Sequence, residues 1–185
     1  VNSAMVPQIH TYIRQVTKKE TEWHLDEVFI KINGKLRYLW RAVDQDGNEL
    51  DVLVTKQRGK KAAIKFFKKL FKNQRQQPRK IITDKLASYK AALRDIGSNT
   101  PHITDQYKNN IAEVSHQKTR QQQRQMRQFK SIAQAQRFLA NHGVINNHFR
   151  QQRHLLKAKH YREIREHAFE QWAQITCAQN LVINN

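Results

Sequence analysis

The dipeptide Asn33-Gly34 is the feature that most restricts how this chain can fold. It is flanked by the runs WHLDEVFIKI (23–32) and KLRYLWRAV (35–43), which are both rich in β-branched and aromatic residues. An Asn-Gly pair between two such runs is the strongest short-range signal for a β-hairpin, because both central residues of the turn need a positive φ. A third run, ELDVLVT (49–55), follows the turn-forming sequence DQDGN. Three consecutive antiparallel strands are therefore predicted.

The next part of the chain alternates helices with short strands. The segment KKAAIKFFKKLFKN (60–73) has an apolar face opposite its lysines and predicts an amphipathic helix. KIITD (80–84) predicts a short strand, KLASYKAALRDIG (85–97) a helix closed by its glycine, and HITDQY (102–107) a fifth strand. The expected order is β-β-β-α-β-α-β-α. The predicted inward-facing residues of the first helix are Ala63, Phe66, Phe67 and Leu70.

From Glu113 onward the pattern is helical to the end of the chain. IAEVSHQKTRQQQRQMR (111–127) has too few apolar residues for a core helix, so most of its surface must face water or a polar partner. Ser131 and Gln134 resemble a capping box that opens a second helix. YREIREHAFEQWAQI then predicts a last helix with an apolar stripe.

The charge of the chain points to a polyanionic partner. Its 185 residues carry a formal net charge of +19, far more than solubility requires, so nucleic acid is the expected partner. A membrane partner is not expected, because no apolar run approaches the roughly 20 residues that span a bilayer. The sequence shows no signal peptide, which predicts a cytoplasmic protein. With Cys177 as the one cysteine, internal disulfides and thiolate zinc sites are not expected.

Three acidic residues stand out as candidates for chemistry. Asp26 lies in the first predicted strand, Asp84 ends the strand after the first helix, and Glu113 lies near the start of a very basic helix. Side chains at the ends of neighbouring central strands can converge, and three converging carboxylates would repel one another unless cations neutralised them. Mg²⁺ and Mn²⁺ prefer such oxygen ligands. Two such ions about 3.5–4 Å apart would support phosphoryl transfer.

Position alone leaves simpler readings of these acids open. An aspartate at a strand end is often a turn former or a helix cap. Other carboxylates are also candidates for the site. Glu27 follows Asp26 directly, but strand alternation places it on the opposite face of the sheet. Asp44, Asp46 and Asp105 lie in or near turns, where hydrogen bonds to their own backbone explain them.

Three segments carry a family resemblance. WHLDEVFIKINGKLRYLWRAVDQDGNELD, IITDKLASY and NNIAEVSHQKTR…FKS resemble the catalytic core of DDE transposases of bacterial insertion sequences, in particular the insertion-sequence-six family. The resemblance implies an α/β fold of the ribonuclease H-like type, with a mixed five-stranded sheet flanked by helices and a C-terminal helical extension. It also implies that Asp26, Asp84 and Glu113 form the catalytic, metal-binding triad.

The same resemblance implies an activity and its partners. The expected reaction is metal-dependent cleavage and strand transfer of double-stranded DNA at transposon ends and target. The cofactor would be Mg²⁺ or Mn²⁺, as two ions, and the protein would act as a homo-oligomer on DNA associated with the bacterial nucleoid. The alternatives from other classes are a ribonuclease H-like nuclease, which would not join strands, and a non-catalytic DNA-binding remnant.

The helix that begins near Glu113 supplies the candidate DNA-binding residues. At 3.6 residues per turn, His116, Arg120 and Arg124 share a face with Glu113, and Lys118 belongs to the same basic segment. Arg120 matches a basic residue that many of these transposases carry seven positions after the glutamate. The simpler reading is that these are solvated side chains.

The resemblance divides the chain into three regions. Residues 1–22 are expected to be the remnant of an N-terminal DNA-binding helical region, 23–130 the DDE catalytic core and 131–185 the C-terminal helices. The interval between Asp84 and Glu113 looks shorter than is usual for the family. The short start leaves little room for a helix-turn-helix that recognises transposon ends, so a truncated transposase is expected.

Overall fold

The structure is a computed structural model that describes residues 22–105, 129–149 and 157–176. Of these, the residues up to Gly143 belong to one compact unit and those from Val144 onward to a second. None of the described helices is long and apolar enough to cross a membrane. The elements are β1 (Glu22–Ile32), β2 (Lys35–Val43), β3 (Glu49–Thr55), α1 (Lys60–Gln74), β4 (Lys80–Thr83), α2 (Ala87–Asp95), β5 (His102–Thr104), α3 (Ile132–Phe149) and α4 (Ala158–Thr176).

The five strands form one mixed sheet in the order β3-β2-β1-β4-β5. β1, β2 and β3 are successively antiparallel, whereas β4 pairs in parallel with both β1 and β5. The hairpin turn has φ of 48° at Asn33 and 71° at Gly34, which are the left-handed values that a two-residue turn of this kind requires. The predicted three-stranded meander and the predicted fourth and fifth strands are confirmed.

One face of the sheet is covered by α1 and α2. The four predicted inward-facing residues of α1 are all buried, as the spacing of its apolar residues requires. Aromatic rings fill much of this layer: Trp40 meets Tyr89 edge-on, with ring centroids 5.5 Å apart. The strand residues that this face buries include Trp23, Leu25, Trp40, Ala42, Leu53 and Ile81.

The opposite face is aliphatic and packs against the first part of α3. Ser131 begins this helix, since its Oγ accepts a hydrogen bond from Gln134 N at 3.1 Å, while Gln134 Oε1 accepts one from Lys130 N at 2.8 Å. The predicted capping signal is thus confirmed, with the return bond one residue earlier than in the standard motif. The buried residues of this layer are Val28, Ile30, Ile32, Leu39, Val52, Val54, Phe129, Ala135 and Leu139.

The second unit contains the predicted last helix, α4. Within it, Nε2 of the His148 ring lies 2.7 Å from the carbonyl oxygen of Ala168. Phe149 contacts the rings of Phe169 and Trp172, with centroid distances of 4.8 and 5.3 Å. The apolar stripe of α4 therefore packs against the end of α3.

Candidate active site

The site forms where the parallel pairing of β1 with β4 ends. Leu25 and Thr83 are the last paired residues of the two strands. Asp26 is the next residue of β1, and Asp84 follows the end of β4. Paired strands have the same rise per residue, so the residues that follow the last pair also lie side by side. The two aspartates are therefore neighbours.

Glu27 completes a group of three carboxylates at this point. One oxygen from each of Asp26, Glu27 and Asp84 lies within 4.8 Å of the other two. Asp26 and Asp84 are therefore brought together, as the sequence predicts. The other predicted site residues, Glu113, His116, Lys118, Arg120 and Arg124, lie outside the described residues.

Each aspartate uses one oxygen to hold its own backbone. Asp26 Oδ1 accepts a hydrogen bond from Glu27 N at 2.9 Å, and Asp84 Oδ1 accepts one from Leu86 N at 3.0 Å. The bond at Asp84 is an Asx-type turn that leads into α2. The turn-forming role that the sequence left open is therefore present at Asp84. It also restricts the rotation of the carboxylate.

Strand alternation does not exclude Glu27 from the site, contrary to the sequence-based expectation. Glu27 does share a face with Trp23 and Leu25, opposite Asp26. Beyond Thr83, however, β4 no longer flanks β1, and the longer glutamate side chain reaches the carboxylates at this strand end. A signal was present in the sequence: Glu27 continues the every-second-residue pattern of buried apolar side chains, where an unpaired acid is rare.

Both oxygens of Glu27 have partners. Oε1 accepts a hydrogen bond from Arg58 Nη2 in an ion pair, and Oε2 accepts one from the hydroxyl of Tyr89 at 2.9 Å. The glutamate side chain is 3% exposed. Burial raises the pKa of Glu27 to about 6; the Tyr89 hydrogen bond and Arg58 oppose this rise, whereas the charges of Asp84 and Asp26 add to it.

The same surroundings also shift the pKa of Tyr89. It is fully buried in α2, and burial raises the pKa of its hydroxyl well above 10, with the Glu27 carboxylate acting in the same direction. Tyr89 therefore stays protonated and serves as a hydrogen-bond donor to Glu27.

Comparison with known proteins identifies the family. The family model for the DDE domain of IS240-type transposases matches residues 20–152. The chain belongs to this family. A Staphylococcus aureus protein named transposase for insertion sequence-like element IS431mec is 40% identical over 100 residues, covering 51% of this chain and 44% of that relative. The S. aureus transposase for insertion sequence element IS257 in transposon Tn4003 matches to the same extent.

The match therefore spans less than half the length of these two S. aureus relatives. Among solved structures, a chain of the simian T-cell lymphotropic virus intasome in complex with PP2A regulatory subunit B56 gamma superimposes with a TM-score of 0.51. This match has 14% sequence identity and covers 70% of this chain and 48% of the other. Together with the strand order, this likeness confirms the predicted ribonuclease H-like fold.

Proposed function

We propose that this DDE domain is the catalytic part of a transposase that cuts and joins the DNA of an insertion sequence. The observation that carries the proposal is the meeting of Asp26 and Asp84 where the pairing of β1 with β4 ends, with carboxylate oxygens within 4.8 Å. Membership of the DDE-domain family supports the same reading. So do the names of the two S. aureus relatives.

The donor set suits a hard divalent cation. Asp26, Asp84 and the adjacent Glu27 offer only oxygen atoms, in a chain whose formal net charge is +19. Mg²⁺ and Mn²⁺ favour carboxylate oxygens. We propose that Asp26, Asp84 and Glu113 hold two such ions. When bound, these would activate the attacking oxygen and stabilise the leaving oxygen of a phosphodiester.

The proposed reaction has two phosphoryl-transfer steps. In the first, a water oxygen bonds to phosphorus, the P–O3′ bond breaks, and the transposon strand is left with a free 3′-OH. In the second, this 3′-OH attacks a target phosphodiester, and the target strand leaves with its own 3′-OH. No side chain of the protein forms a covalent bond, so the role of Asp26 and Asp84 is to position the reacting groups.

The basic part of the chain would hold the DNA. We assign phosphate contacts to His116, Lys118, Arg120 and Arg124, on the helix expected after Glu113. The large positive charge predicts affinity that falls steeply as salt rises, because each neutralised phosphate releases counterions. The protein would act as a homo-oligomer that pairs two transposon ends, in the bacterial cytoplasm close to the nucleoid.

The proposed regions follow from these roles. Residues 23–130 would form the catalytic core, 131–185 the C-terminal helices, and 1–22 part of an N-terminal DNA-binding helical region.

The test is a cleavage and joining assay with labelled duplexes that carry the ends of the element. Asp26→Asn and Asp84→Asn should each lower Mn²⁺-dependent cleavage and joining by about 100-fold or more, the scale of losing one electrostatic group at a reacting centre. Asp46→Asn, which changes an acid in the β2–β3 turn, is the matched control and should leave the rates unchanged.

Each alternative function has its own outcome in this assay. Cleavage without joined products identifies a nuclease. DNA that is bound equally with and without Mn²⁺ and stays intact identifies a non-catalytic remnant. Aspartate variants as active as the wild type would refute the assignment of the site.

A further inference from the structure

Arg58 lies beside the three carboxylates and is held from two directions. It belongs to the loop between β3 and α1. Its Nη2 is bonded to Glu27 Oε1, and its guanidinium carbon lies 6.0 Å from the centroid of the Phe29 ring. The arginine side chain is nevertheless 38% exposed. The guanidinium is thus fixed at the edge of the site while part of it remains open to solvent.

The anchor of Arg58 is itself rigid. Glu27 is 3% exposed, and its second oxygen is occupied by the Tyr89 hydroxyl at 2.9 Å. With both oxygens bound, the carboxylate cannot turn without breaking a hydrogen bond in a buried place, which is costly. Tyr89 is in turn enclosed by the rings of Trp40 and Phe67, at centroid distances of 5.5 and 6.1 Å.

This arrangement costs more free energy than a contact between apolar residues in the core would. A buried acid–arginine pair contributes little net stability compared with apolar residues of similar size. Here the buried acid also lies within 4.8 Å of two further carboxylates, which repel it. What the arrangement provides is one arginine in a fixed position next to the proposed reaction centre.

A DNA phosphate needs a positive group at this place. A phosphodiester that approaches Asp26 and Asp84 carries the same sign of charge as their carboxylates and is repelled by them. Residues 56–61, which comprise the loop with Arg58 and the first two residues of α1, include four basic residues and no acid. A guanidinium carries five N–H donors in a fixed fork that matches two oxygens of one phosphate, and Glu27 does not use all of them.

We propose that Arg58 binds a backbone phosphate of the DNA strand at this site, with Glu27 and Tyr89 as the residues that position it. The inference rests on the proposed function, since it takes the substrate to be DNA. It adds a phosphate-binding group on the β3–α1 loop, separate from the basic segment assigned above. The contact is sequence-independent, because a phosphate carries no base identity.

The test measures DNA binding by the full chain, without any cleavage step. Fluorescence anisotropy with a short duplex of unrelated sequence, in the absence of divalent ions, gives the affinity at a series of KCl concentrations. Arg58→Ala should weaken binding about fivefold at ~0.1 M salt and reduce the log–log salt slope by about 0.9, the value for one lost phosphate contact.

Arg79→Ala is the matched control. Arg79 is also an arginine paired with a glutamate, Glu22, at 2.9 Å. Glu22 precedes Asp26 by about 13 Å along β1, at the usual rise per residue. This variant removes the same charge as Arg58→Ala but should leave the salt slope unchanged within error.

Two further substitutions at Arg58 complete the test. Arg58→Gln keeps a hydrogen-bond donor for Glu27 but removes the charge, so it should reproduce the Ala result even if the Ala variant folds poorly. Arg58→Lys should restore the slope but remain a few-fold weaker than the wild type, because an ammonium cannot form the two-pronged phosphate contact.

The possible failures are distinguishable. If the wild type binds with a steep salt slope and neither Arg58→Ala nor Arg58→Gln changes it, Arg58 only neutralises Glu27 and the inference is wrong. The same holds if Arg79→Ala lowers the slope as much as Arg58→Ala does. If the wild type does not bind duplex DNA at all, the proposed function fails together with this inference.

Discussion

The two faces of the sheet each bury a glutamate paired with an arginine, and the two pairs differ in their access to water. On the face of α3, Arg41 and Glu49 are 9% and 10% exposed, with 2.5 Å between Nη2 and Oε2. On the face of α1 and α2, Glu27 is 3% exposed, but its partner Arg58 is 38% exposed. The first pair is enclosed by protein, whereas the second extends from the core to the surface.

Burial destabilises the ionised form of both glutamates, so burial of the acid alone does not distinguish the two pairs. Burial raises the pKa of Glu49, with Arg41 acting in the opposite direction, and it raises that of Glu27 for the same reason. The difference lies in the arginine. An enclosed arginine can only support the fold, while an arginine at the surface of a site can also meet a substrate.

The largest expected effect is the loss of stability in Arg41→Ala. Removing one partner of an enclosed ion pair leaves a buried charge and typically costs about 3–5 kcal/mol. Arg58→Ala should cost about 1 kcal/mol or less, because water can reach Glu27 Oε1 once a half-exposed side chain is gone. Urea unfolding of both variants measures the difference. Equal losses would remove the distinction between the two pairs.

The next effect concerns the hydroxyl that holds Glu27. Tyr89→Phe removes the donor to Oε2 and leaves a buried acceptor without its partner, which should cost about 1–3 kcal/mol in the free energy of unfolding. Tyr38→Phe in β2 is the control, because Tyr38 is only partly buried. Its stability should stay within about 0.5 kcal/mol of the wild type. Equal stability of the two variants would show that Tyr89 contributes only its ring.

The third effect, partly offset by the helix preference of alanine, tests how tightly the enclosed pair is packed. A Cβ added at Gly143 of α3 would overlap the carboxylate of Glu49, which Arg41 holds in place. Gly143→Ala should therefore lower stability by about 1–3 kcal/mol through overpacking, although alanine normally stabilises a helix by about 1 kcal/mol relative to glycine. In a Glu49→Ala background the same change should no longer destabilise. An additive double-mutant cycle would contradict the contact.

The smallest effect extends the comparison to an exposed pair. A hydrogen bond from Lys80 lowers the pKa of Glu22 below 4.5, and Arg79 acts in the same direction against the cost of burial. Because the folded pKa lies below the unfolded one, the stabilisation is present above pH 4.5 and is lost as the pH falls through the folded value.

Glu22→Gln should therefore be less stable than the wild type by at most about 1 kcal/mol at neutral pH. The difference should vanish in acid. Thermal unfolding of the two proteins at pH 7 and at about pH 3 checks both the size and the sign. A difference that grows in acid would mean that the surface pair does not stabilise the ionised acid.

The part of the structure that follows from local signals could be predicted from the sequence. The Asn33-Gly34 turn fixes the β1–β2 register without help from the rest of the chain. The apolar spacing of α1 and the Ser131 capping signal likewise depend on residues close together in sequence. The positions of Asp26 in the first strand and of Asp84 at the end of the fourth, together with the family resemblance, predicted that their carboxylates lie together, as they do.

The surroundings of Glu27 could not be predicted in the same way. Alternation along β1 correctly predicts the face of the sheet on which Glu27 lies. The point where β4 stops flanking β1, however, depends on the pairing of two strands that are distant in sequence. The partners of Glu27 come from two further places, a loop after β3 and the first turn of α2. No local pattern links Arg58 and Tyr89 to an acid in the first strand.

The parallel pairing of β1 with β4 also has a consequence for the order of folding. The β1–β2 hairpin joins residues that are close in the chain, so its loop-closure cost is small and it can form early. The β1–β4 ladder must close a loop that contains two other strands and α1, so it forms later. Asp26 and Asp84 are neighbours only after that closure. In a chain still emerging from the ribosome the two aspartates are apart, and the proposed cation site between them can form only once β4 has paired with β1.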